Sequence, residues 1–257
     1  MLAPHYARAD ECHCAADMAM VRASPSTDAV AVTQLVHGEG FAVLDRVGAW
    51  AWGRCLHDDY VGYVPAAALG PVATATHRID APLGLVFARP TIKAPALAAL
   101  PIGARLAAVS DEGDFLRVER GFVHRRHAAP LDEIENDPVA VAERLIGAPY
   151  LWGGRGGDGI DCSGLVQVAF GFAGIAAPRD SDQQRDALGD ALTVDEPLRR
   201  GDLIFFPGHV GLMVDATHLI HANAYWMAVT VEPLADVVAR LQPLHDHPIS
   251  ARRRLTE

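Results

Sequence analysis

From about Met20 to Leu69, apolar and polar positions alternate in short runs, AVAVTQLV, GFAVLD and AWAWGRCL, broken by Gly and Asp and closed by DDYVGYVPAAAL. A period of two over runs this short, with turn residues between them, predicts the antiparallel strands of a small β-barrel. From about Ala73 to Pro130 the pattern returns in weaker form: APALAALPIGARLAAVSD can be laid beside AVAVTQLVHGEGFAVLD, and GFVHRRHAAPL beside GYVPAAAL. A second, degenerate barrel is expected there. The texture then changes. Asp137-Pro138 supplies an N-cap and a first-turn proline, Val139, Ala142, Leu145 and Ile146 follow at helical spacing, and Gly147 ends the helix. Beyond the Gly-rich loop YLWGGRGGDGI, Leu165, Val166, Ala169, Phe170 and Ala173 fall at offsets of three and four, so a second helix is predicted to begin just after Asp161-Cys162-Ser163. A polar segment follows, and then LIFF, HVGLMV, HLIHA and AVTVEP read as antiparallel strands. Helices first and a sheet afterwards give an α+β domain. The expected layout is a barrel with an N-terminal extension over 1–72, a second barrel over 73–130, and the α+β domain over 131–257.

Composition narrows the partners. The chain has 257 residues, 50% hydrophobic and 21% charged, so a folded protein is expected rather than a disordered one. A formal net charge of -10 argues against nucleic acid or an anionic membrane, both of which need a basic footprint. The basic groups Arg125, Arg126 and His127, and Arg252, Arg253 and Arg254, are expected to be solvated charge runs. No stretch of about eighteen apolar residues suggests a membrane span. The first residues lack a charged start followed by an apolar run, and Cys12, Cys14, Cys55 and Cys162 make a poor disulfide framework; a cytoplasmic protein with thiols is expected. Cys12-His13-Cys14 has no second ligand pair nearby, so no metal site is expected.

Candidate chemistry centres on Cys162, where the Gly-rich loop enters a helix. Unpaired N–H groups and the positive end of the helix dipole gather there, and they favour thiolate over thiol. The N–H of the residue itself is placed to help bind an oxyanion. His209 begins one strand and His221 ends the next. A turn centred on Asp215 places the two directly opposite each other on one face, with His218 on the other face. Two such histidines also arise by coincidence or as a metal pair. No third ligand accompanies them and a helix-capping cysteine lies in the same domain, so a nucleophile–base–orienter arrangement is favoured.

PYLWGG, IDCSGLVQ, PRDSDQQ, RRGDLIFFPGHVGLMV and LIHANA, in this order, resemble the successive motifs of the NlpC family of papain-like cysteine peptidases. Trp50, Trp52, Gly62-Tyr63-Val64 and Leu69 look like a bacterial SH3-like barrel. The resemblance implies hydrolysis next to γ-D-glutamyl residues of peptidoglycan stem peptides. By motif position it places the nucleophile at Cys162, the base at His209, the third polar residue at His221 and an oxyanion-hole donor at Tyr150. In relatives with N-terminal barrels a free amino terminus of L-Ala-γ-D-Glu-diamino acid is held at the cleft. The matching residues here are Asp161, Ser163 and Tyr60, with Tyr63 a near neighbour of the last, Ser181 for the D-Glu portion and Glu39 a further barrel acid. No metal or organic cofactor is implied. A cell-wall peptide recycling role in the cytoplasm is the expected setting. A cysteine amidase or acyltransferase of the same fold, and a non-catalytic wall-binding protein, are the competing readings. The preferred diamino acid and the oligomeric state are not written in the motifs.

Overall fold

Strand alternation organises the first half of the chain as expected, though the strands are bent and interrupted. The computed structural model describes residues 8–71, 74–156 and 158–255, which divide into two compact units between Glu133 and Ile134. In the first unit a seven-stranded antiparallel sheet runs in the order Ala31–Val36, Met18–Arg22, Val61–Pro65, Trp50–Cys55, Gly40–Val47, Asp10–Cys14 and Leu69–Gly70. Its register slips at Val21/Arg22 and at Val43/Asp45, and such bulges let a short sheet coil on itself. The inward-facing residues Cys14, Val21, Leu35, Phe41, Ala51, Cys55 and Val64 form its core. Cys12 and Cys14 lie on one strand and face that core. Trp52 sits on the exposed face and Trp50 is half-buried, so the tryptophan pair contributes little to the interior.

A five-stranded and a three-stranded sheet follow within the same unit. Ile79, Val86, Leu100, Leu106, Val118 and Val123 make their core, and Val36 of the preceding sheet inserts among them. The contact is close at Gly38. Its φ is +79°, and a Cβ there would lie 2.8 Å from both the Cβ and the carbonyl oxygen of Arg105. Glycine is required on both counts. The basic trio near residue 125 is folded into this unit: His124 accepts the Arg126 N–H to cap a 3-10 turn, and Arg125 pairs with Asp111 at 2.7 Å.

Among its described residues the second unit holds four helices, a two-stranded ribbon of Arg155–Gly156 and Gly159–Ile160, and a six-stranded sheet. Helix α1 (Pro138–Glu143) starts as the sequence requires, with Asp137 accepting the Val139 N–H at 3.1 Å and proline in the first turn. It ends a turn early, and Ile146 is exposed rather than buried. Helix α2 (Cys162–Phe172) is buried on nearly every side, as a helix apolar all round must be. Two further helices, α3 (Ser181–Ala187) and α4 (Leu234–Leu241), lie in segments with no predicted helix. The sheet is antiparallel, in the order Asp190–Ala191, Ala251–Arg254, Leu203–Phe206, His209–Met213, His218–Asn223 and Ala228–Pro233. Ile204, Phe206, Met213 and Leu219 pack on one face with Leu234, Val237 and Val238 of α4.

The tail arginines are not a solvated charge run. Arg252, Arg253 and Arg254 form a half-buried inner strand, paired on one side with Leu203–Phe206 and on the other with Asp190–Ala191. Arg254 grips buried Asp202 through two charge-assisted hydrogen bonds of 2.7 and 2.6 Å. Backbone pairing outweighs solvation of the charges because their heads find partners while the stems cover apolar surface.

Candidate active site

Asp161 fixes the start of α2. Its Oδ1 accepts the Gly164 N–H at 2.8 Å, and its Oδ2 accepts the Gly153 N–H, also at 2.8 Å. The carboxylate thus caps the helix and ties the Gly-rich loop to it. The approach is tight enough to exclude side chains: a Cβ on Gly164 would come within 2.4 Å of the Gly154 carbonyl oxygen. Buried Arg179 completes the cluster, donating to both Asp161 oxygens at 3.0 and 2.5 Å and to Ser163 Oγ at 2.7 Å.

Cys162 is the first residue of α2 and is buried. The expected thiolate does not follow from this position. Burial pushes the thiol up to about 11, and the Asp161 carboxylate adds to the shift. Hydrogen bonding by the Val210 and Ser163 N–H groups and the charge of Arg179 pull the other way without overcoming it. Desolvation of a sulfur anion outweighs the partial charge of a helix mouth that already holds a carboxylate.

His209 opens its strand, and its Nε2 lies 2.7 Å from His221 Nδ1, with the rings at 64°. The register differs from the one expected. The ladder pairs Leu212 with Ile220 and Met213 with Leu219, so continued outward it sets His209 and His221 diagonally rather than directly opposite. Parity keeps both on one face, and a diagonal pair of rings still meets. Burial pushes His209 down to about 3, with His221 and Arg240 adding to the shift. His221 is also lowered by burial, while Glu232 acts against it. His218, the first residue of its strand, pairs with Asp215 of the preceding turn at 3.1 Å.

Tyr150 is half-buried, and its backbone N–H is held by the Met227 carbonyl at 2.9 Å. Burial, then Cys162 and Asp161, push its phenol up to about 12, so it remains an O–H donor throughout the working range. Ser181 is half-buried at the start of α3, two residues beyond Arg179. Tyr60 and Glu39 belong to the first unit. There Asp58 accepts the Tyr60 N–H at 3.0 Å, and buried Glu39 accepts the Val36 N–H at 2.9 Å. Tyr63 pairs with Trp52 across two strands of the same sheet.

Three residues that sequence reasoning did not single out stand close to these groups. Glu232 Oε1 lies 2.7 Å from His221 Nε2 and 2.7 Å from Arg240 Nη2, and Arg179 bridges Asp161 and Ser163. Glu232 was within reach of the pattern: in AVTVEP the alternation puts Thr230 and Glu232 on the face of His221, and the observed ladder pairs His221 with Thr230. Among the described residues, Cys55, His57 and Asp58 of the first unit could offer three ligand atoms within 4.8 Å of one another.

A capped helical cysteine that meets the backbone of Val210, the residue next to His209, in the unit that holds a hydrogen-bonded imidazole pair fits the thiol-hydrolase class of sites. The comparisons agree. Residues 147–240 match the NlpC/P60 family and residues 21–69 match the bacterial dipeptidyl-peptidase SH3 domain. Over these two stretches the chain is similar to an NlpC/P60 domain with a bacterial SH3 domain ahead of it. It is 26% identical over 238 residues to a gamma-D-glutamyl-L-lysine dipeptidyl-peptidase of Bacillus cereus, covering 79% of this chain and 70% of that one. It is 38% identical over 96 residues to dipeptidyl-peptidase 6 of Lysinibacillus sphaericus, covering 37% of this chain and 35% of the relative. A gamma-D-glutamyl-L-lysine dipeptidyl-peptidase of Bacillus subtilis is 30% identical over 128 residues, 46% of this chain and 43% of its own. The chain therefore spans less than half of the latter two relatives. The crystal structure of an NlpC/P60 family protein from Bacillus cereus superposes with a TM-score of 0.81 at 21% identity, covering 96% of this chain and all of the other. Among the described residues no helix is long and apolar enough to cross a membrane.

Proposed function

We propose that this protein is a cysteine peptidase that hydrolyses the γ-D-glutamyl–diamino acid bond of peptidoglycan stem peptides carrying a free N-terminal L-Ala. The observation that carries the reading is the His209–His221 hydrogen bond within the unit that presents Cys162 at the mouth of a buried helix. The relatives named as gamma-D-glutamyl-L-lysine dipeptidyl-peptidases support the choice of bond.

The chemistry follows from the protonation states. Thiol and imidazole rest neutral, so His209 takes the Cys162 proton as the sulfur attacks the γ-D-glutamyl carbonyl. The Cys162 N–H and the Tyr150 phenol donate to the oxyanion of the tetrahedral intermediate. The His209 imidazolium then protonates the leaving amine, and water releases the acyl group from the sulfur by the reverse sequence.

Substrate selection is assigned to Asp161 and Ser163 at the ammonium end and to Ser181 at the D-Glu portion. Asp161 already accepts four hydrogen bonds of 3.0 Å or less. The ammonium therefore meets the Asp161–Ser163–Arg179 cluster as a whole rather than an unsatisfied carboxylate. We assign the barrels to 1–72 and 73–130 and the peptidase domain to 131–257. We also assign the enzyme to cytoplasmic recycling of wall peptides, a setting that suits the thiols of Cys12, Cys14 and Cys162.

Mass spectrometry of products from L-Ala-γ-D-Glu-L-Lys, its meso-diaminopimelate counterpart and their N-acetylated forms tests the assignment. Cleavage of the free-amine peptides alone supports it. Cleavage of neither form, with thiol-dependent activity on other acyl groups, would replace it with an amidase.

A further inference from the structure

The chain of hydrogen bonds continues beyond the His209–His221 pair. His221 is 1% exposed, and its Nε2 faces Glu232 Oε1 at 2.7 Å. That carboxylate is itself buried and is held from three sides: by His221, by Arg240 Nη2 at 2.7 Å, and by the indole N–H of Trp226 at 3.4 Å from Oε2. Arg240, from the last turn of α4, is fixed in turn by stacking 4.0 Å over the Tyr225 ring. The turn that carries Tyr225 and Trp226 is closed by Asn223, which accepts the Trp226 N–H at 2.8 Å and donates to Thr230 at 2.9 Å. Each support has a support of its own.

We propose that Glu232, anchored by Arg240, is a positioning residue that sets the tautomers of both histidines and so leaves His209 Nδ1 unprotonated to receive the Cys162 proton. This rests on the peptidase reading for its purpose but not for its test. Donor and acceptor capacity decides the tautomers. An ionised carboxylate only accepts, so His221 must carry its proton on Nε2. Its Nδ1 is then a lone pair and can only accept from His209 Nε2. The proton of a neutral His209 is thereby committed to Nε2, and Nδ1 is the one ring nitrogen with basicity to offer. Moving either proton alone would place two donors or two lone pairs 2.7 Å apart, and turning either ring would replace a nitrogen at the contact with a carbon. When His209 becomes an imidazolium, its new charge is transmitted through a neutral His221 toward a fixed anion. Arg240 keeps that anion ionised and in place without touching either histidine.

Long-range 1H–15N correlation spectra of the full chain labelled with 15N-histidine read the tautomers directly, with or without substrate. The expected spectrum shows His221 and His209 both protonated on Nε2. In Glu232→Gln, the new amide can donate as well as accept, and at least one of the two rings is expected to change tautomer or to average between forms. The kcat for L-Ala-γ-D-Glu-L-Lys is expected to fall on the order of 10- to 100-fold with KM within about twofold, as for loss of an outer supporting partner. Glu232→Asp, which keeps the charge, should lie closer to the unmodified protein on both readouts. A wild-type His209 protonated on Nδ1 overturns the proposal, and so does a Glu232→Gln protein with unchanged tautomers and unchanged kcat. Should Glu232→Gln fail to fold, the wild-type spectrum still decides. A protein that shows the expected tautomers yet turns over none of the stem peptides contradicts the substrate assignment and leaves this inference standing.

Discussion

His209 Nε2 and His221 Nδ1 stand 2.7 Å apart on adjacent strands, close enough that exactly one proton lies between them. This contact orients the base. Replacing His221 by Ala leaves His209 Nε2 without an acceptor in a buried site and its ring able to turn. We expect kcat to fall about 100-fold or more, within the range of general-base contributions. His221→Asn, whose side-chain oxygen can accept from Nε2, should retain more activity than His221→Ala. Steady-state kinetics of the two variants check the order; equal losses would mean that the second imidazole matters only by filling space.

The resting protonation state has its own signature. Burial pushes Cys162 up to about 11 and His209 down to about 3. Between those values the thiol keeps its proton and the imidazole carries no charge. Alkylation by iodoacetamide follows the thiolate fraction, so the rate constant should climb close to tenfold per pH unit from about pH 5 to about pH 9. A plateau at acid pH would reveal a thiolate–imidazolium pair and contradict this order of protonation.

Much of this arrangement is legible in the sequence, and each miss has a physical cause. Asp137 and Asp161 announce their helices because a short carboxylate before an apolar periodic run can satisfy N–H groups that nothing else reaches. The diagonal placement of the histidines was not legible. Asp215 accepts the N–H groups of Thr217 and His218 at 2.7 and 2.8 Å, and this turn moves the centre of the hairpin past Asp215. Helix α4 carries Leu234, Val237, Val238 and Leu241 at helical spacing, but only eight residues follow a strand that ends in proline. The pairing of the arginine strand is a long-range event that local charge conceals. The protonation of Cys162 depends on burial, which no spacing of residues records.

Arg179 and Asp161 form a buried pair beneath the site, with exposures of 2% and 4%. Arg179→Leu would leave the carboxylate with the Gly153 and Gly164 N–H groups and the more distant Ser163 hydroxyl at 3.4 Å. Unfolding in urea should show a loss of about 3–5 kcal/mol, the usual cost of breaking a buried pair from one side. A loss below about 1 kcal/mol would mean that the helix cap suffices without the guanidinium.

Arg254 anchors the inner strand through Asp202, whose side chain is 1% exposed. Arg254→Ala should destabilise the fold by about 1–3 kcal/mol, the cost of an unsatisfied buried acceptor. Asp202→Asn in the same background should recover part of that loss by removing the buried charge. A double-mutant cycle from thermal melts reads the coupling, and additive effects would show that the tail is held by backbone pairing alone.

Rapid-quench mass spectrometry of the protein mixed with L-Ala-γ-D-Glu-L-Lys tests the central claim most directly. The expected result is a transient L-Ala-γ-D-Glu acyl adduct on the peptide containing Cys162, with no adduct and no turnover in Cys162→Ala. Hydrolysis of the same bond at an undiminished rate in Cys162→Ala would contradict it.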